Sequence, residues 1–207
     1  MRRLTQFFAQ IFIVCLFMLG ISIEAGAVVS TAQPEVSLLK DQLEIPGLNR
    51  KRQIRIYVPP GYATSGKRYP VLYMHDGQNL FDVATAYKLE WNVDETLNAL
   101  AKSDNLEIIV VGIDNGQDKR MTELNAWDNT QFGKQEGKQY IEFIVNVLKP
   151  LIDQRFRTKS DRSNTAIMGS SMGGLITHYA INQYPDVFGK AGIFSPSYPI
   201  LGSSRSS

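Results

Sequence analysis

The stretch that most constrains this chain is Thr165-Ala166-Ile167-Met168-Gly169-Ser170-Ser171-Met172-Gly173-Gly174-Leu175. A short apolar run stops at a glycine, a serine flanked by small residues follows two positions later, and a helix-like segment comes next. This is a G-x-S-x-G pattern centred on Ser171, set between an expected strand and an expected helix. To pass from strand to helix in so few residues, Ser171 must adopt a strained backbone conformation that lifts its Oγ clear of the sheet. Side chains at Gly169 and Gly173 are expected to clash with the neighbouring strand and helix. The first N–H groups of the helix point toward any anion that forms over the serine. The pattern therefore reads as an activated serine rather than a glycine-rich turn.

The 207 residues suffice for one domain with a substantial core, and the composition is that of an ordinary globular protein. Net charge is +2, and removing Arg2, Arg3 and Glu24 with the first 27 residues lowers it to +1, so nothing points to nucleic-acid binding. Arg2 and Arg3, the apolar run Ile11 to Ile21 and the small-x-small site Ala25-Gly26-Ala27 read as a signal peptide over residues 1–27, followed by a domain over 28–207. The apolar run is short for a bilayer span, which needs about 20 residues, so cleavage after Ala27 is expected, with no stable membrane anchor. A secreted or periplasmic location follows. Cys15 is the only cysteine and lies in the leader, which excludes cysteine catalysis and a disulfide framework.

Along the remainder, Val36 to Ile45 reads as a first strand, and Gln53 to Val58 alternates as a half-buried strand. Val71 to Met74 and Ile108 to Ile113 are continuous apolar runs of central strands, with a helix over Val93 to Lys102 between them. The polar segment Asp114 to Gly133 is too long for a simple connection. Glu136 to about Asp153 has helical spacing, with Pro150 expected to kink it or end its regular part. Ala166 to Met168, then Leu175 to Tyr184, then Lys190 to Phe194 read as strand, helix, strand. Strands alternating with helices imply an α/β fold, a mainly parallel central sheet with helices on both faces.

Four motifs in order carry a resemblance. They are Tyr57-Val58-Pro59-Pro60-Gly61-Tyr62, Tyr69 to Asp82 with His75-Asp76-Gly77-Gln78-Asn79, Val111-Gly112-Ile113-Asp114-Asn115, and Gly169 to Gly174. Together they resemble the esterase family of α/β-hydrolases that includes siderophore esterases, feruloyl esterases and S-formylglutathione hydrolase, over about residues 50 to 198. The resemblance implies an α/β-hydrolase fold, a small-molecule ester substrate and no cofactor. It implies Ser171 as nucleophile, with the backbone N–H groups of Gln78 and Met172 as oxyanion hole. His75 and Asp76 in the oxyanion loop, Arg120, Glu123 and Trp127 in the polar loop, and Ser195 in Phe194-Ser195-Pro196-Ser197-Tyr198 are the candidate substrate-binding residues.

The base is the difficulty, since this fold class orders nucleophile, acid and histidine along the chain. After Ser171 the only histidine is His178, seven residues along the helix and roughly 10 Å of rise away, whereas proton transfer needs about 3 Å. His75 reads as bracing the loop or lining the pocket rather than as general base, and Asp186 as a surface turn. The tail Pro199 to Ser207 has no strand period, so the expectation is a C-terminally incomplete domain whose last strands, triad acid and histidine are missing, with an impaired hydrolase as its function. A non-catalytic ligand-binding module and an acyltransferase of the same fold are the alternatives. No His/Cys/carboxylate cluster suggests a metal, and Gly169 to Gly174 lacks the G-x-G-x-x-G spacing of a dinucleotide site.

Overall fold

Side chains that alternate along the central strands divide into two apolar layers. Ile54 and Ile56, Val71 and Tyr73, Ile109, Val111 and Ile113, and Ile167 share one buried cluster, while Tyr57, Leu72 and Met74, Val110 and Met168 belong to a second. Two faces of one sheet, each needing cover, are the result. The computed structural model describes residues 28–127 and 134–198. The expected leader, the segment 128–133 and the tail beyond 198 lie outside the described residues.

Eight strands are present among these residues: β1 (Val36–Leu38), β2 (Leu43–Ile45), β3 (Arg50–Arg52), β4 (Ile54–Tyr57), β5 (Val71–His75), β6 (Ile109–Ile113), β7 (Thr165–Ser170) and β8 (Lys190–Phe194). Six of them form one sheet in the order β1-β4-β6-β5-β7-β8. The pairs β6–β5, β5–β7 and β7–β8 are parallel, whereas β1–β4 and β4–β6 are antiparallel. The sheet is therefore mainly parallel, as the alternation of elements requires. The first strand is a correction. Val36 to Ile45 is not one strand, because the chain bends at Lys40–Asp41 and β2 leaves the main sheet to pair with β3 as a separate hairpin. Gly47, at a φ of 80°, makes that turn possible.

The helices are α1 (Val93–Ser103), α2 (Arg120–Glu123), α3 (Gly137–Phe143), α4 (Lys149–Arg155) and α5 (Met172–Gln183). Leu97 of α1 packs on the Tyr57–Met74–Val110 face. Tyr140, Ile141, Phe143 and Ile152 from α3 and α4 and Leu175, Ile176 and Ala180 from α5 cover the other. The regular α-helix is interrupted just before Pro150, as expected: the π-helical turn Ile144–Leu148 separates α3 from α4, and the proline sits in the first turn of α4. The polar segment after β6 is not featureless either, since it contains the 3₁₀ turn Gln117–Lys119 and α2.

Candidate active site

The parallel strands end together, and the chemistry-bearing residues sit at or just beyond those ends. Ser171 lies between β7 and α5 at φ 58° and ψ −120°, a conformation that L-residues avoid. Three backbone bonds hold it there: Ser171 N–H donates to Phe194 O at 3.0 Å, Leu175 N–H to Ser171 O at 3.0 Å, and Ser197 N–H to Ser171 O at 3.1 Å. A Cβ on Gly169 would lie 2.6 Å from the Gly173 carbonyl, so glycine is obligatory at that position. Gly173 differs from expectation. A Cβ there would meet nothing closer than 3.4 Å, because its neighbours Asp76 and His75 stand back by a full van der Waals contact. Ser171 Oγ is 2.9 Å from Ser197 Oγ, a contact between two hydroxyls. Met172 is the first residue of α5, and first-turn N–H groups have no partner within their own helix.

The facing loop leaves β5 through His75 and Asp76. His75 is buried, with Nδ1 2.8 Å from Tyr140 Oη and Nε2 without a partner. Burial pulls its imidazole down to about 4, overriding Asp76, so the ring is neutral at pH 7. Asp76 takes the left-handed conformation, φ 58° and ψ 44°. Its carboxylate receives Arg120 Nε at 2.6 Å and a second guanidinium nitrogen at 2.9 Å, with Asn115 Nδ2 at 2.6 Å. Burial alone would raise this carboxyl, but the Arg120 fork and the Asn115 amide hold it below the usual range. Gln78 sits in the 3₁₀ turn Gly77–Asn79. Its side-chain Oε1 accepts from Asn115 N–H at 3.1 Å and its carbonyl from Thr85 Oγ1 at 2.8 Å, so both brace the loop.

The remaining candidates separate into two groups. Glu123 is fully buried and bound to Arg50 and Arg52 at 2.7 Å each, so its carboxylate is committed to the β2–β3 hairpin. Trp127, in contrast, is 38% exposed and lies edge-on to Tyr179 and tilted against His178. His178 Nδ1 is 3.0 Å from Tyr198 Oη, which leaves it a half-buried helix residue as its spacing requires. Ser195 is exposed at φ 40°. Ser197 is the residue of that segment whose side chain reaches Ser171 Oγ, and sequence reasoning missed it. The repeated serine in Phe194-Ser195-Pro196-Ser197 was the available signal, but nothing in it distinguishes the two serines. Tyr140 was missed as well, because helical periodicity marks it only as core.

A family model described as "Putative esterase" matches residues 45–204. This chain belongs to that esterase family. The uncharacterized protein YbbA of Bacillus subtilis is 32% identical over 155 residues, which cover 71% of this chain and 57% of the relative. The endo-1,4-beta-xylanase/feruloyl esterase of Xylanibacter ruminicola is 28% identical over 144 residues, 68% of this chain and 19% of the relative. The crystal structure of an IroE-like serine hydrolase from Shewanella oneidensis superposes with a TM-score of 0.59 at 23% identity, covering 76% of this chain and 49% of that one. The esterase chain thus spans little more than half the length of YbbA and a smaller share of the other two. Its fold is that of the α/β-hydrolases, and its family is one of carboxylic ester hydrolases. No helix among the described residues is long and apolar enough to cross a membrane.

Proposed function

We propose that this chain is a serine carboxyl-ester hydrolase in which Ser171 attacks the ester carbonyl and the backbone N–H groups of Met172 and Gln78 receive the oxyanion. The observation that carries the reading is the strained conformation of Ser171 at the start of α5, φ 58° and ψ −120°. Strain of about 1–3 kcal/mol is retained where surrounding contacts over-determine it, and a nucleophile lifted to a helix N-terminus is a reason to retain it. Asp76, fixed by Arg120 and Asn115, holds the start of the loop that carries Gln78. His75 ends β5 just before that loop, with its ring against Tyr140. The exposed Trp127 and Tyr198, together with Ser195, offer an apolar and hydroxylic approach suited to an ester with an aromatic portion. The similarity to the feruloyl esterase supports the same substrate class. The sequence of residues 1–27 supports export to a periplasm or to the exterior.

These 207 residues contain two histidines, and neither hydrogen-bonds Ser171: His75 Nδ1 pairs with Tyr140 and His178 Nδ1 with Tyr198, while Ser171 Oγ pairs with Ser197. The hydroxyl beside Ser171 Oγ belongs to Ser197, which is too weak a base to take its proton. On this polypeptide the oxyanion donors act without a base. Rates on the order of 10³-fold over water, far below those of a complete triad, are the expectation. A fluorophosphonate probe tests both halves. Labelling should be slow, map to Ser171, accelerate with added imidazole and vanish in Ser171→Ala. Rapid stoichiometric labelling without imidazole would reveal a working base and overturn the second half. Complete resistance of Ser171 with imidazole present would overturn the first.

A further inference from the structure

Beside the loop that carries Gln78, three carboxylates converge. Glu90, Asp94 and Glu95 each bring a carboxylate oxygen within 4.8 Å of the others, and Asp94 is fully buried. One oxygen of each is satisfied by the segment 31–33. Thr31 Oγ1 donates to Glu90 Oε2 at 2.5 Å, Gln33 N–H to Asp94 Oδ2 at 2.9 Å, and Gln33 Nε2 to Glu95 Oε1 at 3.2 Å. The other three oxygens, Glu90 Oε1, Asp94 Oδ1 and Glu95 Oε2, are buried with no hydrogen-bond donor. None of the three carboxylates forms an ion pair with a lysine or arginine among the described residues.

Acidic clusters on a solvated face need no partner, but buried carboxylate oxygens without donors do. Water cannot reach them in bulk, and mutual repulsion acts at close range. A positive charge at their common point removes both penalties at once. All the available atoms are hard carboxyl oxygens, with no imidazole or thiolate among them, which selects a hard cation over a transition metal. Calcium tolerates the irregular coordination that three side chains and added waters can supply, whereas magnesium demands a near-ideal octahedron.

We propose that Glu90, Asp94 and Glu95 bind a divalent cation of the calcium class, one orphaned oxygen from each carboxylate entering its shell. The site has a mechanical consequence. Trp91 N–H donates to Asn79 O at 2.9 Å and Val93 N–H to Leu80 O at 3.0 Å, so the ligand-bearing stretch is laced directly to the loop holding Gln78. The cation would join three elements: segment 31–33, the first turn of α1, and that loop. The spacing of the three acids matches no familiar loop motif, which is why the sequence does not announce the site.

Terbium, which replaces calcium and luminesces when a nearby tryptophan is excited, gives the direct test. Trp91 neighbours Glu90 and is 43% exposed. Chelator-treated full-length chain should bind one terbium ion with sensitised emission, and calcium should displace it. Calcium should also raise the melting temperature by about 5 °C over EDTA. Glu95→Gln and, separately, Glu90→Gln, both at half-buried positions, should abolish both effects while melting higher than the parent in EDTA. Circular dichroism confirms that each variant is folded. Absence of emission and of any calcium-dependent shift in folded parent would overturn the proposal. So would emission that survives both substitutions, or a stability near pH 7 that follows protons equally with and without calcium.

Discussion

Ser171 is held at φ 58° by bonds from both sides, and the same few ångströms explain which glycines around it are required. At Gly169 a methyl group would press on backbone, 2.6 Å from the Gly173 carbonyl, and backbone cannot swing aside. Gly169→Ala should therefore cost about 3 kcal/mol or more in urea denaturation, at the upper end of overpacking effects. Gly173→Ala should fall within about 1 kcal/mol of the parent, since the 3.4 Å contacts are ordinary and alanine gains helix propensity. Equal penalties at the two positions would refute this account. The pattern G-x-S-x-G was legible as a unit, but not this asymmetry. Sequence spacing shows that two glycines flank a serine, whereas the distance from each to its neighbours depends on how α5 settles on β5 and β7.

At the scale of elements, the hairpin β2–β3 is fastened to α2 and α3 through charge. Arg50 bridges Glu123 and Glu136 at 2.7 Å each, and Arg52, only 4% exposed, reaches Glu123 with one nitrogen. Removing one partner of a buried pair leaves the other uncompensated, at about 3–5 kcal/mol. Glu123→Gln should lose about 3 kcal/mol or more of unfolding free energy. Adding Arg52→Met should recover part of that loss, because the stranded cation goes with it. A double variant less stable than the sum of the singles would contradict the pairing. None of this was readable from the chain, where Glu123 stands in a polar loop far from either arginine and α2 is too short to show a period. The long helical pattern over residues 136–153 was readable. Its proline marked where regularity breaks, but not the form of the break, because a π-turn leaves no mark in hydrophobic spacing.

For the molecule as a whole, stability should depend on pH through His75. Its imidazole titrates near 6.5 when unfolded and about 4 in the folded chain, so above pH 6.5 both states are neutral. Between those values the unfolded chain takes a proton that the buried ring refuses, and stability falls as acid is added. The loss is complete below about pH 4 and amounts to roughly 3 kcal/mol. Asp94 runs the other way, since burial foremost pushes its carboxyl up to about 7. The clean measurement is therefore the difference in unfolding free energy between parent and His75→Gln, which should shrink by about 3 kcal/mol between pH 7 and pH 4. A difference that stays constant would mean that His75 is solvated. The large-scale fold was largely legible: central strands announced themselves by continuous apolar runs, and the alternation with helices gave the parallel sheet. The break between β1 and β2 was missed, although the polar run Lys40-Asp41-Gln42 interrupts the alternation where the backbone changes sheets. One consequence of the strand order concerns time rather than energy. β5 is flanked by β6 and β7, and its partner β7 comes from the opposite half of the chain, so the sheet's centre closes through pairings distant in sequence. Such contacts are slow to form. The strained turn at Ser171 depends on β8 as well as β7, through Phe194 O, and so belongs among the last features a refolding chain acquires.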